Sequence, residues 1–119
     1  MNDKNWQARA VEFAAQHNLY HPAGVYALDA MSELGEVAKE ILLATNYGEQ
    51  APQFRNEIAG ELGDLLYSIC LLASASDIDL EEAFTATLEK YRTRWAARGD
   101  LGSESVESSP ANTKGYERY

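Results

Sequence analysis

Apolar residues recur along this chain at helical spacing, while the period-2 alternation of an amphipathic strand is absent. Turn-forming segments separate the apolar stretches, at LYHP (19–22), NYGEQAP (46–52) and SDID (76–79). The pattern therefore predicts four helices, over about residues 3–18, 22–44, 52–75 and 80–98. We expect an all-α fold built on a four-helix bundle-type subunit.

Several residues are predicted to start these helices. Asp3 is a candidate N-cap of the first helix, and Pro22 and Pro52 suit the first turns of the second and third. Asp79 is a candidate N-cap of the fourth helix, with Glu82 at the capping-box position.

Composition limits the classes of function. The chain has 119 residues, enough for one domain, and 45% of them are hydrophobic, which indicates a packed core. We predict a helical catalytic domain over 1–99 and a polar C-terminal tail over 100–119. The net charge of −9 disfavours binding to nucleic acid, because an acidic protein repels phosphate backbones.

The expected location is the cytoplasm. Cys70 is the only cysteine, so neither an intrachain disulfide nor a thiolate zinc cluster can form, and this fits a reducing compartment. The first residues, MNDKNWQARA, lack the apolar core of a signal peptide. No apolar run is expected to reach the roughly 20 residues that cross a bilayer, so no membrane association is predicted.

The two middle helices are apolar around most of their circumference, and each has one narrow acidic stripe. The stripe of the second helix consists of Asp29, Glu33, Glu36 and Glu40. That of the third helix consists of Glu57, Glu61, Asp64 and Ser68, with the same 4-3-4 spacing. An ordinary surface helix has the reverse proportions. We therefore expect a homodimer or a larger assembly, such as a dimer of dimers, with these helices near its centre.

The tetrapeptides ELGE (33–36) and ELGD (61–64) place the acidic stripes in register. Carboxylates crowded beside packed surface repel one another and need a counter-ion. Neither stripe contains histidine, so an all-oxygen site for Mg²⁺, or for Mn²⁺, is predicted rather than a zinc site. Gly35 and Gly63 suggest close backbone approach, either of helix to helix or near the ion, since glycine weakens a helix. The alternative is two solvated acidic faces.

Three segments resemble the MazG-type all-α nucleoside triphosphate pyrophosphohydrolases: ELGEVAKE (33–40), ELGDLLYSI (61–69) and DIDLEEAFTATLEKYRTR (77–94). The resemblance covers roughly residues 5–98. It implies a helical bundle that dimerises, often to a tetramer, and catalytic Mg²⁺ held by Glu33, Glu36, Glu61 and Asp64. It also implies hydrolysis of a nucleoside triphosphate between the α and β phosphates, giving a monophosphate and pyrophosphate, for house-cleaning of the nucleotide pool.

Further site residues follow from the same resemblance. Some subgroups carry a glutamate where this chain has Ser32, so Glu36 or another metal-binding acid would share the activation of water. Lys90 and Arg94, which share a helix face, are the expected phosphate contacts. The alternative is that they only complement the negative end of their helix. His21 lies where some dCTP-preferring relatives have a histidine, and so is an expected substrate contact.

Base recognition and the reaction itself leave alternatives open. Five side chains could stack on or hydrogen-bond to a base, with core packing as the alternative for each aromatic: Trp6, His17, Tyr20, Tyr47 and Tyr67. A rival enzyme is phosphoribosyl-ATP pyrophosphohydrolase, a relative that cleaves the same bond. A non-enzymatic rival is an acidic helical bundle that binds a divalent ion or a protein partner.

Overall fold

The computed structural model describes residues 5–102 of the chain. Those residues form four α-helices: α1 (Trp6–Gln16), α2 (Ala23–Ala44), α3 (Glu57–Ala75) and α4 (Leu80–Arg98). No strand occurs between residues 5 and 102, so the predicted all-α class is confirmed for this part of the chain. Residues 103–119, most of the predicted tail, lie outside the described residues, and the predicted domain division stays a prediction.

Both ends of α4 agree with the sequence pattern. The Asp79 side chain accepts a hydrogen bond from the backbone N–H of Glu82 at 3.0 Å, as an N-cap does. At the other end, the backbone N–H of Gly99 donates to the carbonyl of Trp95 at 2.9 Å. Gly99 has φ of 77°, in the left-handed region that glycine adopts without a steric penalty. The helix therefore ends where glycine first allows the chain to reverse.

The start of α1 differs from the prediction. The helix begins at Trp6, and the side chain of Asn5 caps it by accepting the backbone N–H of Ala8 at 2.8 Å. The predicted cap, Asp3, lies outside the described residues. The 4-3-4 spacing of Trp6, Ala10, Phe13 and His17 predicts an apolar stripe on this helix, but the fully buried residue is Ala14, while Trp6 and Phe13 are exposed.

The prolines predicted to lie in the first turns of α2 and α3 have different positions in the structure. Pro22 is the N-cap residue of α2, one position before its predicted place. The prediction that Pro52 opens α3 is wrong, because that helix begins at Glu57. The backbone N–H of Gln53 donates to the carbonyl of Ala44 at 2.8 Å, which holds this segment against the end of α2. The N–H of Gln53 is therefore bonded to the end of α2 and not within a turn of α3.

The chain divides into two compact units, Met1–Ala83 and Phe84–Tyr119. In the first unit, α1 and α2 both pack on α3. Its buried core cluster contains Ala14, Tyr26 and Leu71, one residue from each helix. The Tyr26 hydroxyl donates to the carbonyl of Leu19 at 2.9 Å and accepts the N–H of His21 at 3.0 Å. Tyr26 thus packs in the core and also fixes the loop between α1 and α2.

The side chain of Gln7 sets the direction of α1 against α3. Its amide nitrogen donates to the carbonyl of Ile78 at 2.8 Å, and its amide oxygen accepts the N–H of Leu80 at 2.7 Å. Residues 78 and 80 follow the C-terminal end of α3. The N-terminal end of α1 therefore lies beside the C-terminal end of α3, and the two helices run antiparallel.

Large apolar side chains remain exposed on α2. Leu28, Met31 and Leu34 are 66%, 70% and 55% exposed, respectively. On α4, no residue is buried, and Phe84 and Trp95 are 57% and 63% exposed. A single chain thus leaves much apolar surface in water, as the sequence pattern of the middle helices predicts.

The helix α3 is long and apolar enough to cross a membrane by length and composition alone. The expectation that no apolar run reaches this length is therefore wrong for α3. The core helix of a soluble protein can pass the same test, so one such helix is weak evidence for a membrane span. Within this helix, Glu61 and Asp64 are ionisable groups that hydrocarbon would not accommodate without cost.

Candidate functional site

Three carboxylates converge where α2 faces α3. Glu33 on α2 and Glu61 and Asp64 on α3 each offer one oxygen, and these three oxygens lie within 4.8 Å of one another. Glu61 and Asp64 are three residues apart and so share a helix face. Glu33 and Glu61 are partly buried, whereas Asp64 is exposed. We call these three residues the carboxylate cluster.

The geometry of the carboxylate cluster can be compared with the needs of a hard cation. Mg²⁺ binds oxygen ligands in an octahedron at about 2.0–2.1 Å, so two ligands of one ion are at most about 4.2 Å apart. The separation of up to 4.8 Å requires only a small side-chain rotation. An all-carboxylate donor set suits Mg²⁺ or Mn²⁺ better than zinc. The residues therefore fit a divalent cation of this kind.

Negative charge accumulates at Glu61. Desolvation is the main factor that raises the pKa of Glu61 above its ordinary value, and the negative charges of neighbouring carboxylates add to it. Those neighbours are Glu36, Asp64, Glu33 and Glu40, in decreasing order of effect. Every side-chain charge in this set is negative, so a bound cation would offset the electrostatic repulsion among these carboxylates.

Glu36 stands apart from the other predicted ligands. It is exposed and is not one of the three residues whose oxygens converge. Its charge nevertheless has the largest electrostatic effect on the pKa of Glu61, ahead of that of Asp64. The structure thus brings together three of the four predicted acids and places the fourth close enough to act on them electrostatically.

Glu40 has a different role from its neighbours on the predicted stripe. It is buried, and its two carboxylate oxygens accept hydrogen bonds from Nη2 and Nε of Arg55 at 2.6 and 3.1 Å. The hydrogen bond from Arg55 is the main factor that lowers the pKa of Glu40 below its ordinary value. This carboxylate already has a cation and is not a candidate metal ligand.

Sequence reasoning missed Arg55, although a signal was present. Arg55 is the only lysine or arginine between residues 40 and 89, inside a strongly acidic part of the chain. A lone cation there is expected to pair with one of the surrounding acids. Which acid it pairs with depends on the path of the loop before α3, which the helical pattern did not predict.

A cleft of about 580 Å³ lies between α1 and α3. Its lining includes Trp6, Arg9, Phe13, Asp64, Tyr67 and Cys70. Two of these, Trp6 and Tyr67, are among the predicted base-contacting aromatics, whereas Arg9 and Phe13 were not singled out. Asp64 belongs both to this lining and to the carboxylate cluster, so the two features adjoin. Burial of Tyr67 is the main factor that raises its pKa, which keeps the phenol protonated.

The other predicted base contacts are not among the residues that line this cleft. The ring of His17 lies 4.5 Å from that of Phe13, measured between centroids. Tyr20 and Tyr47 are 66% and 69% exposed and are not among the residues that line the cleft. Trp6 is also exposed, at 65%. The alternative that these aromatic side chains pack in the core is therefore wrong for Tyr20, Tyr47 and Trp6 in the single chain.

His21 lies in the loop between α1 and α2. Its ring meets that of Tyr26 edge-on, with 5.7 Å between the centroids. It belongs neither to the carboxylate cluster nor to the lining of the cleft. Its role in substrate binding therefore stays a prediction.

Lys90 and Arg94 lie on α4, in the second compact unit. Nη1 of Arg94 donates to the carbonyl of Leu101 at 3.0 Å, just beyond the end of that helix. The Leu101 carbonyl is not part of α4, so this contact does not test the alternative that Arg94 complements the negative end of the helix. Nζ of Lys90 lies 5.4 Å from the ring centroid of Tyr91. Their predicted contacts with phosphate stay predictions.

The glycines of the two tetrapeptides are not explained by crowding within the chain. A Cβ atom added at Gly35 or Gly63 would meet nothing within 4 Å. The expectation that helix approaches helix at these glycines is therefore wrong within the described residues of one chain, and approach near an ion stays a prediction. Any approach that requires these glycines would have to come from a ligand or from another chain.

Comparison with known proteins identifies the family. The chain matches the MazG nucleotide pyrophosphohydrolase domain over residues 25–98, more than half of its 119 residues. The chain belongs to this family, and the matched region contains the whole carboxylate cluster but not α1. A similar protein is uncharacterized protein YpjD of Bacillus subtilis (strain 168), 38% identical over 65 residues. That alignment covers 52% of this chain and 57% of the relative, so the chain spans little more than half of YpjD. No solved structure matches the chain.

Proposed function

We propose that this protein is a Mg²⁺-dependent nucleoside triphosphate pyrophosphohydrolase. It would cleave between the α and β phosphates and release a nucleoside monophosphate and pyrophosphate, with Mn²⁺ as a possible substitute ion. The observation that carries the proposal is the convergence of Glu33, Glu61 and Asp64 in a chain of the MazG family. Removal of non-standard or surplus nucleotides from the pool is the role we propose for this reaction.

The carboxylate cluster would hold the cation. Bound there, Mg²⁺ would neutralise charge on the triphosphate and stabilise the charge that develops during hydrolysis. Glu33 would position the ion from α2 while Glu61 and Asp64 position it from α3, so packing of the two helices fixes the ligand geometry. The partial burial of Glu33 and Glu61 limits competition from water for the same ion.

Glu36 is the residue that we assign to the attacking water. It is near enough to raise the pKa of Glu61, but it is not one of the three converging ligands. A carboxylate in that position can accept a proton while the water oxygen forms its bond to phosphorus. The bond from phosphorus to the bridging oxygen then breaks, and the pyrophosphate side leaves with its electron pair. Ser32 offers no carboxylate for the same task.

Further substrate contacts are proposed from the family resemblance. Lys90 and Arg94 would contact phosphate, and His21 would contact the substrate near the base. Arg94 would have to exchange its hydrogen bond with the Leu101 carbonyl for a bond to phosphate. This exchange would cost little, because the Leu101 carbonyl lies at an exposed position and can bond to water instead.

We also propose a homodimer or homotetramer in the cytoplasm. The support is the exposed apolar surface of α2, at Leu28, Met31 and Leu34, which a second copy would cover. Covering the apolar face of this helix pair would also account for the membrane-like hydropathy of α3. Nucleic acid is not a proposed partner, because the net charge of −9 opposes it.

A substrate panel tests the proposal. The purified protein would be incubated with Mg²⁺ and each of the dNTPs, the NTPs and phosphoribosyl-ATP, and pyrophosphate and orthophosphate would be measured separately. We expect pyrophosphate from a nucleoside triphosphate, with activity lost in Glu36→Gln and Asp64→Asn. Turnover confined to phosphoribosyl-ATP would favour the rival enzyme. Metal binding without turnover would favour the non-enzymatic bundle, and release of orthophosphate would mean that a different bond is cleaved.

A further inference from the structure

The cleft between α1 and α3 has no assigned role, although it adjoins the carboxylate cluster through Asp64. Its volume of about 580 Å³ is within the range of small-molecule sites, roughly 300–1,000 Å³. One wall is α1, which lies before the segment that matches the family. The family match therefore does not by itself assign a role to this wall.

The order of side chains along the cleft follows from the helix directions. The rings of Phe13 and Tyr67 meet edge-on with 6.1 Å between their centroids, and Tyr67 lies one turn beyond Asp64 on α3. Trp6 lies two turns before Phe13, roughly 10 Å along α1. The cleft therefore has an acidic end at Asp64, an aromatic pair beside it, and an exposed indole at the far end.

This order matches the order of chemical groups in a nucleotide. The charged phosphates of a nucleoside triphosphate lie at one end, and the flat base lies at the other. Aromatic side chains bind bases by stacking, which tolerates any base because every base has a π face. A ligand with its phosphates at the carboxylate cluster would direct its base along the aromatic lining of the cleft.

We propose that the α1–α3 cleft binds the base and sugar of the nucleotide, with Phe13, Tyr67 and Trp6 as its aromatic surface. The inference rests on the proposed function for its phosphate end, at the carboxylate cluster. It makes α1 a substrate-binding element. The aromatic lining also sets the ligand class, because a polyphosphate without a base would gain nothing from it.

Arg9 supplies the cleft with a positive charge. Among the described residues it has no ion pair, and it is exposed on the same wall as Phe13. A guanidinium presents several donors in a planar fork, so an acceptor oxygen of the ligand is its expected partner. That oxygen belongs either to a phosphate or to a base carbonyl, and the two sources respond differently to removal of the base.

Fluorescence of Trp6 gives a binding test that does not require turnover. In a Trp95→Phe background, Trp6 is the only tryptophan and it is 65% exposed. The full chain would be titrated, with Mg²⁺ present, with α,β-methylene analogues of the four dNTPs and with inorganic tripolyphosphate. We expect saturable quenching with at least one nucleotide analogue and none with tripolyphosphate.

Substitution of Trp6 gives the matching measurement of affinity. Loss of one stacking side chain is expected to weaken nucleotide binding roughly 5- to 150-fold, and Trp6→Ala should raise KM with little change in kcat. Trp6→Phe should retain most of the affinity. Tyr20→Ala is the matched control, because Tyr20 is equally exposed, at 66%, but does not line the cleft.

Arg9→Met separates the two sources of the acceptor oxygen. If Arg9 contacts a phosphate, calorimetry will show weaker binding of tripolyphosphate and nucleotide alike. If it contacts a base carbonyl, only nucleotide binding will weaken. Both outcomes support the cleft as the site, while unchanged binding of both ligands would overturn the assignment of Arg9. Arg92→Met, an exposed arginine on α4, is the control.

The failures of the two proposals are distinguishable. Hydrolysis that proceeds without Trp6 quenching, and with unchanged KM in Trp6→Ala, would overturn the cleft proposal and leave the proposed function standing. Quenching by a nucleotide in a protein that hydrolyses none would support the cleft and overturn the proposed function. Trp6 emission that follows protein concentration, and not nucleotide, would mean that a second copy fills the cleft, which overturns the proposal.

Discussion

Two carboxylate sites on the same helix pair, one at Glu40 and one at the carboxylate cluster, contrast sharply in their electrostatics. Glu40 is buried and binds Arg55 through both oxygens, and its pKa is lowered. The carboxylate cluster of Glu33, Glu61 and Asp64 has no ion pair with any residue between 5 and 102, and the pKa of Glu61 is raised. Position on an acidic stripe therefore does not define a role. Glu40 has its cation in the chain itself, as Arg55, and we propose that the carboxylate cluster takes its cation from solution.

The largest effect should come from removing one ligand of the carboxylate cluster. We expect Asp64→Asn to reduce pyrophosphate release roughly 100-fold or more, because it removes a ligand of the ion that stabilises transition-state charge. Steady-state kinetics with Mg²⁺ checks this, and circular dichroism checks the fold. Asp29→Asn is the control, since Asp29 is exposed on the same predicted stripe but outside the cluster. Wild-type turnover in Asp64→Asn would contradict the assignment.

A loss of stability should follow from breaking the ion pair between Glu40 and Arg55. Glu40→Gln leaves Arg55 without its charged partner and removes a charge-assisted pair whose carboxylate is buried, although the Arg55 side chain is 51% exposed. Thermal unfolding should show a lower Tm for Glu40→Gln than for Arg92→Met, whose pair with Glu89 is exposed on α4. The lowered pKa of Glu40 determines how the contribution of this ion pair to stability changes with pH. This contribution is present above the unfolded value of about 4.5 and is lost as pH falls through the folded pKa.

Substitution of Glu61 should change stability in the opposite direction to substitution of Glu40. Because its pKa is raised, ionised Glu61 destabilises the metal-free fold, and this cost grows as pH rises from about 4.5 through the folded pKa. Glu61→Gln should therefore raise the Tm at neutral pH without metal. It should also lose the stabilisation by Mg²⁺, which in the wild type reaches about 2.7 kcal/mol at 100 times Kd. Equal stabilisation by Mg²⁺ in both proteins would place the ion elsewhere.

The same shift makes metal binding depend on pH. A proton competes with the ion for Glu61, so Mg²⁺ affinity should fall as pH is lowered from neutrality towards about 4.5. Calorimetric titration at a series of pH values measures this, with proton release on binding as a second readout. Asp29→Asn should follow the same curve, because Asp29 lies outside the carboxylate cluster and is not among the groups that raise the pKa of Glu61. A pH-independent affinity would argue against Glu61 as a ligand.

The smallest effect concerns Gly35, inside α2. A Cβ there would meet nothing within 4 Å, so Gly35→Ala should stabilise the chain by about 0.5–1 kcal/mol through helix propensity. Chemical denaturation measures the change. A loss of stability, accompanied by dissociation of an oligomer, would instead show that another chain approaches the backbone at Gly35.

Helical periodicity predicted what depends on local sequence. The ends of α4 follow from Asp79 and Gly99, whose side-chain and backbone preferences act within one turn. The two acidic tetrapeptides predicted that Glu33 would meet Glu61 and Asp64, because fixed spacing on packed helices brings residues into register. What local pattern could not supply was the path of the loop before α3, which places Arg55 on Glu40.

Long-range packing also decided which aromatic residues are buried. The predicted stripe of α1 passes through Trp6 and Phe13, yet the helix buries Ala14 and leaves both aromatics exposed. Periodicity identifies an apolar arc, but the shape of the neighbouring helix selects which part of the arc is covered. The cleft beside α3 is the consequence, and no feature of α1 alone reveals it.

The most direct measurement is a map of anomalous scattering from crystals of the full chain grown with Mn²⁺. We predict a peak bonded to oxygens of Glu33, Glu61 and Asp64, with metal–oxygen distances of about 2.1 Å, and no peak at Glu40. A peak elsewhere, or none at Mn²⁺ concentrations that support turnover, would contradict it.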